Sequence, residues 1–229
     1  PIKSSAASDV YKRQKQLIKN YYNLDFKGKA SIGGKISIIS NLCVAFFKMI
    51  MGIFTASIFL FISAFYSVGC GVGRLTYFIG ISKSKTEKDE LKYYFRISII
   101  LFFTSVLYIV YMIRLFFIPS NSHYSSIVGI ALSTISVWEM FFAIRGLIKS
   151  HKNNDLLLSG LKAISVATAL LSIVLAQIAI LSFTLPDVDC SFYNAIAGTF
   201  FGGICIMISI AMFYRYIRHK RRLVDKIKN

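Results

Sequence analysis

Acidic residues are scarce: the 229-residue chain carries 10 Asp+Glu against 27 Lys+Arg, for a formal charge of +17. Only three histidines and three prolines occur. The four cysteines, Cys43, Cys70, Cys190 and Cys205, make neither a CxxC pair nor a Cys/His cluster. The usual zinc spacings and a disulfide framework are thereby excluded. Three of the four fall inside apolar runs and read as small packing residues. His123, His151 and His219 lie in connections or in the tail, and there is no HExxH, no GxSxG and no pair of carboxylates within an apolar run. The groups that hydrolytic chemistry needs are absent, so the sequence predicts a protein that is not an enzyme and holds no metal or cofactor. Charge of either sign is thin: 16% of residues are charged and 55% hydrophobic, with mean hydropathy +0.62. A soluble domain is nearer a quarter charged. This much apolar surface exceeds what water can cover.

What is present is a set of apolar runs. Crossing about 30 Å of hydrocarbon takes about 20 residues of helix. Six stretches qualify: Ile36–Thr55, Ser57–Ile81, Phe95–Ile118, Ser126–Ile148, Leu156–Thr184 and Phe192–Tyr214. They are continuous rather than alternating, which argues against a β-barrel. The basic residues sit between them. Eight Lys/Arg precede residue 36, six fall in Arg74–Arg96, four in Arg145–Lys162 and seven from Arg215 on, leaving Lys48 and Arg114, both inside runs, as the exceptions. The alternate connections, Gly52–Ala56, Pro119–Ser126 and Leu185–Ser191, have none. The positive-inside bias then predicts an all-α polytopic membrane protein with six transmembrane helices over 36–214 and both termini cytoplasmic.

The same pattern implies a basic cytoplasmic segment at 15–35 and a basic tail at 215–229, both facing anionic lipid head groups. Nucleic acid is not the expected partner, because the basic residues are dispersed between membrane-length runs. Asp187 and Asp189 lie on the external side, where two loop acids are ordinarily solvated. Residues 1–14, PIKSSAASDVYKRQ, have the look of a translated cloning adaptor and carry no argument about fold. The low proline content with frequent Ile, Phe and Lys suggests a bacterial plasma membrane.

Charges inside a bilayer are costly, so each becomes a candidate functional group. Lys48 lies about two thirds of the way along the first run and Glu139, beside Trp138, near the middle of the fourth. Either they approach each other or share a wet cavity, or Lys48 snorkels outward and Glu139 is protonated. Arg114 sits a turn from the external end of its run and is expected to snorkel. Asn41, Ser63, Tyr66, Ser67, Thr168, Ser172, Gln177 and Asn194 are weaker polar groups in the runs. With Cys70, the first four positions apart from Ser67 and the pair Thr168 and Ser172 complete a candidate transport path. Gly69-Cys70-Gly71-Val72-Gly73 lacks the Lys-Ser/Thr of a phosphate loop. Gly69/Gly73 and Gly198/Gly202 are instead four apart, a spacing that favours close helix packing.

The stretch KISIISNLCVAFFKMIMGIFTASIFLFISAFYSVGCG, from Lys35, resembles the membrane domain of the cation diffusion facilitators, the cation-efflux transporters. Ser37, Asn41, Lys48, Gly52 and Ser57 stand where that family commonly has Ser, Asn, Lys, Gly and Ser, and KAISVATALLSIVLAQIAIL from Lys162 is a looser match. The resemblance implies six helices with both ends inside, the first, second, fourth and fifth forming a compact bundle around the path, and a homodimer. It also implies exchange of a divalent metal for protons, with ligand pairs on the second and fifth helices. The corresponding positions here are Tyr66 and Cys70, and about Ile164 and Thr168. None is Asp or His, so no tetrahedral divalent site is expected. Nor is the family's cytoplasmic metal-binding domain among these residues. Two readings follow. One is a divergent transporter of a cation or other small solute. The other is a non-transporting scaffold or partner-binding membrane protein on a degenerate transporter fold.

Overall fold

The computed structural model describes residues 10–16, 26–118, 124–149, 156–185 and 187–228, and the side chains of these apart from 26–37, 145–149 and 226–228. Residues 1–9 and 17–25 of the adaptor-like and basic N-terminal segments, the turn at 119–123 with His123, and His151 lie outside that description, as does the side chain of Ser37 of the family-like motif. The chain divides into two units, Pro1–Ile36 and Ser37–Asn229. In the first, α1 covers 10–16 and α2 begins. All described regular structure is helical: after α1 come α2 (Phe26–Phe54), α3 (Ile58–Lys83), α4 (Glu87–Phe117), α5 (Ser126–Lys149), α6 (Leu156–Thr184) and α7 (Ser191–Lys228).

The helix ends follow from local chemistry. The turn between α2 and α3 is as short as the sequence suggests. Thr55 donates its N–H and its hydroxyl to the Met51 carbonyl, at 2.9 and 2.7 Å. Ala56 then takes a left-handed φ of +48°, and the Ser57 N–H returns to the Gly52 carbonyl at 3.1 Å. Ser57 caps α3 without a side-chain bond to its own helix; its hydroxyl meets the Tyr124 hydroxyl at 2.8 Å instead, tying this turn to the approach to α5.

Two helices run further than their apolar cores. The sequence places a polar loop over Ser84–Leu91, but α4 already begins at Glu87. Thr86 accepts from the Asp89 N–H at 3.3 Å, and Glu87, Asp89 and Glu90 fill the first turn, where carboxylates favour a helix start. The basic tail, expected as an appendage after Tyr214, continues α7 to Lys228. No Gly or Pro interrupts it, and Lys, Arg and Leu are good helix formers.

Five helices are long and apolar enough to cross a membrane: Ile58–Lys83, Glu87–Phe117, Ser126–Ile144, Leu156–Thr184 and Ser191–Asp225. The remaining one of the six expected, counted over its described side chains Ile38–Phe54, is a shorter apolar helix. In the second unit α5 lies along α6, α4 lies along α7, and α3 packs on both α4 and α6. Their most apolar stretches are 56% and 61% buried for α3 and α6, against 33%, 28% and 28% for α4, α5 and α7. The two central helices are therefore α3 and α6. The resemblance implies that α5 is an inner helix and that α4 and α7 are peripheral; here α5 is no more enclosed than α7, and α4 buries Leu101, Tyr108 and Met112 completely or nearly so.

The glycines allow these approaches. A methyl at Gly69 would collide with Thr104 of α4, and one at Gly73 would lie 2.7 Å from Ile164 Cδ1 of α6. On α7, Gly198 backs onto Met112, and Gly202 leaves only 2.7 Å to Ile109 Cγ1. Facing outward are Phe103, Leu107 and Val110 of α4, Ile127, Ile130 and Trp138 of α5, and Phe200, Met207 and Ile210 of α7. Large apolar side chains are thus exposed while Lys48, Arg74 and Glu139 are buried. This arrangement inverts that of a water-soluble fold and suits a hydrocarbon surround.

Candidate functional site

The site lies where α2, α3, α5 and α6 converge. Along α5, Trp138 is 57% exposed and its neighbour Glu139 only 5%. One step of about 100° around the helix turns from the apolar face to the interior. There Glu139 meets Lys48 of α2, with 2.8 Å between Nζ and Oε2. The ammonium also donates to Ser67 Oγ of α3 at 2.9 Å. Ser67 donates in turn to the other carboxylate oxygen at a long 3.5 Å. From α6, the Ser172 hydroxyl reaches Glu139 Oε2 at 3.1 Å and shares its proton with the Thr168 carbonyl at 2.9 Å. Four helices thus contribute one group each to a charge-assisted knot. Burying such a pair is favourable only when the remaining hydrogen-bonding capacity is satisfied in this way.

A cavity opens beside the knot. Its walls are Lys48, Ser63, Tyr66, Ser67, Tyr108, Glu139, Thr168, Leu171 and Ser172. The centre of a water-sized sphere has about 10 Å³ to occupy there, room for about one water. Of the residues singled out from sequence, Lys48, Ser63, Tyr66, Ser67, Thr168, Ser172 and Glu139 share this wall. Cys70 is buried one turn further along α3 and does not line it. Asn41 is buried on α2 against Gly71, also away from the cavity, and its amide nitrogen has no hydrogen-bond partner.

Sequence reasoning did not single out two residues at this site. Tyr108 reaches the cavity from α4, its ring 5.9 Å from that of Tyr66 in an edge-on arrangement. The Tyr108 hydroxyl is sealed from solvent without a hydrogen-bond partner, whereas that of Tyr66 has the Cys205 thiol and the Ser105 hydroxyl as neighbours. Arg74, counted among the basic residues of a connection, points inward from α3 and is only 4% exposed. Its Nη2 donates to Thr168 Oγ1 at 3.4 Å, and Thr168 in turn donates to the Ile164 carbonyl at 2.8 Å. A continuous polar seam therefore runs along the α3–α6 contact, from Arg74 through Thr168 and Ser172 to Glu139 and Lys48. The available signal for Arg74 was its place inside an apolar run, about two turns before that run ends.

Among the described residues, no group of three or more His, Cys, Asp or Glu comes together as metal ligands. On the loop before α7, Asp189 accepts from the Ser191 N–H at 2.9 Å. Hydrogen bonds from Ser191 hold its carboxyl below the usual carboxylate range. This acid is engaged in a local turn. Compared with family models and with curated proteins, the chain matches none.

Proposed function

We propose that this chain is a six-pass integral membrane protein of the plasma membrane, with both termini cytoplasmic, that carries a small solute along the polar seam between α3 and α6. The observation that supports it is the burial of Lys48, Arg74 and Glu139 within helices whose outer faces are apolar. Charged groups inside a membrane domain are expensive and characteristically mark solute or proton pathways. The short α2–α3 turn and the positions of Asn41, Lys48, Gly52 and Ser57 are in keeping with a cation-efflux scaffold. In this reading, the Lys48–Glu139 pair is the element that a passing solute or proton loosens. Flux in proteoliposomes tests it: wild-type protein should accumulate or release a small ion and Glu139→Ala should not. Absence of flux across a panel of monovalent and divalent ions would sink the reading. Cysteine accessibility at 83–92 and 149–152 tests the topology, with both expected on the cytoplasmic side.

The small size of the cavity favours a second reading, a non-transporting membrane protein on the same scaffold. In that case the knot holds helices together and the outer faces of α5 or α7 bind a partner or a second copy. Stable co-purification of a partner, together with absent flux, would select it.

A further inference from the structure

The Lys48 ammonium is a cation held in a shell of oxygens that the protein itself builds. Its Nζ lies 2.8 Å from Glu139 Oε2 and 2.9 Å from Ser67 Oγ. The Ser172 hydroxyl reaches the same carboxylate oxygen at 3.1 Å, and Ser67 approaches the other at 3.5 Å. Ser63 and Thr168 add hydroxyls to the wall of the adjoining cavity. One carboxylate among neutral hydroxyls is a ligand set that suits a hard cation. It neutralises a single charge, and among the described residues no group of three or more His, Cys, Asp or Glu gathers to match a divalent ion.

While the ammonium is in place, the shell has no room for a second cation. Arg74 also lies within electrostatic reach of Glu139. A cation added to the intact pair would set it, Lys48 and Arg74 against one buried carboxylate. Such a surplus is costly away from water. Substitution avoids it: if Lys48 gives up a proton as the cation arrives, the enclosed charge is the same before and after. Two features allow the amine to move aside. The cavity beside the pair has space for about one water-sized body. And α2, which carries Lys48 on a flexible four-carbon stem, runs beside no other helix at the close backbone range that joins α3 through α7.

We infer that Glu139, Ser67 and Ser172 form a site for a monovalent cation of sodium size, in which Lys48 is a tethered occupant, and that a free cation enters in exchange for one proton. In that step an N–H bond of the ammonium breaks and its electron pair stays on nitrogen. The proton passes to solvent water, and the cation gains the carboxylate and hydroxyl oxygens. Lys48 is the proton donor because it is the ionisable group bonded to Glu139, whose other partners are Ser67 and Ser172. Tyr66, Cys70 and Arg74 of α3 and Tyr108 of α4 are neighbours without a bond to that carboxylate, and α6 faces the cavity with Thr168, Leu171 and Ser172, which do not titrate. Passage of the cation across a membrane rests on the solute-carrying reading, whereas its binding is measurable in detergent.

Thermal unfolding of the detergent-solubilised full chain provides the test, with sodium chloride titrated against N-methylglucamine chloride at constant ionic strength. Sodium should raise Tm saturably. Its half-saturating concentration should fall about tenfold for each unit of rising pH, the mark of one proton released per cation bound. Lys48→Ala removes the competitor, so at and above neutral pH sodium should bind it more tightly and without dependence on pH. Ser172→Ala should weaken half-saturation about tenfold, the loss of one oxygen partner to a charged group. If Lys48→Ala fails to fold, the pH dependence of the wild type and the Ser172→Ala response decide the matter. No saturable sodium response in the wild type overturns the exchange, as does a response independent of pH, one that Lys48→Ala abolishes, one that Ser172→Ala leaves unchanged, or one given by manganese instead. Sodium binding without flux of any ion in proteoliposomes upholds the site while removing the transport reading. Flux with no sodium response overturns the site while leaving transport intact.

Discussion

The two ends of the polar seam differ in how completely their groups are satisfied. At the α2–α5 end, a carboxylate and an ammonium meet at 2.8 Å, and hydroxyls from α3 and α6 complete the set. At the other end, Arg74 has a single long contact, to Thr168. Both ends are equally buried, so exposure does not explain the difference. A saturated knot fixes four helices relative to one another and has little capacity left for a ligand. A guanidinium with one long contact contributes little to holding helices together. The two ends stand about two turns apart along α3, at Ser67 and at Arg74.

The largest test of that division removes one partner of the knot. Glu139→Ala leaves the Lys48 ammonium buried without a counter-charge. The expected loss is about 3–5 kcal/mol, measured by unfolding in mixed detergent and dodecyl sulfate micelles. Removing both charges together, as Lys48→Met with Glu139→Leu, should recover most of it, because an apolar pair of similar volume is often neutral or better. A single-variant loss below about 1 kcal/mol would mean that water or another group already satisfies Lys48, and the contrast between the two ends would collapse.

A test of intermediate size asks whether packing rather than charge holds α4 to its neighbours. Gly198 of α7 lies against the Met112 side chain with no space for a methyl. Gly198→Val should cost about 1–3 kcal/mol by overpacking, partly relieved by Met112→Ala in the same chain. A value near zero would show that the α4–α7 contact is soft, and that Tyr108 is held in place by something other than that contact.

How much of this was legible beforehand depends on the kind of signal. Long apolar runs announce helices, and the helices appear close to where the runs lie. Lys48 and Glu139 were legible because a charge inside such a run stands out without any knowledge of packing. Arg74 was not, because it stands near the basic Lys83–Arg96 stretch, and only the packing of α3 against α6 decides that its side chain turns inward. Tyr108 is one of 13 tyrosines, and nothing in its neighbours distinguishes the one whose hydroxyl faces a cavity. The early start of α4 was present in Thr86-x-x-Asp89, but the polar composition around it resembles a loop.

A smaller effect comes from the turn that sets the register of α2 on α3. Ala56 has φ +48°, a conformation that costs an L-residue about 1–2 kcal/mol. Ala56→Gly relieves that cost but frees the unfolded chain by about 0.4–1 kcal/mol. The net gain should be about 0.5–1 kcal/mol and should add independently to Glu139→Ala, since the turn touches neither end of the seam. Non-additivity would mean that the turn and the knot are coupled through α2, and the knot could no longer be treated as a local feature.

The smallest expected change is the most diagnostic. Arg74→Met removes a buried charge that has no carboxylate partner among the described residues and keeps a comparable apolar volume. Its one acceptor, Thr168, still donates to the Ile164 carbonyl at 2.8 Å, so no buried hydroxyl loses its only bond. The variant should therefore unfold within about 1 kcal/mol of the wild type, or above it, since an apolar replacement of a poorly compensated charge is often neutral or stabilising. A loss approaching that of Glu139→Ala under the same conditions would show that Arg74 is paired as firmly as Lys48. The two ends of the seam would then be alike.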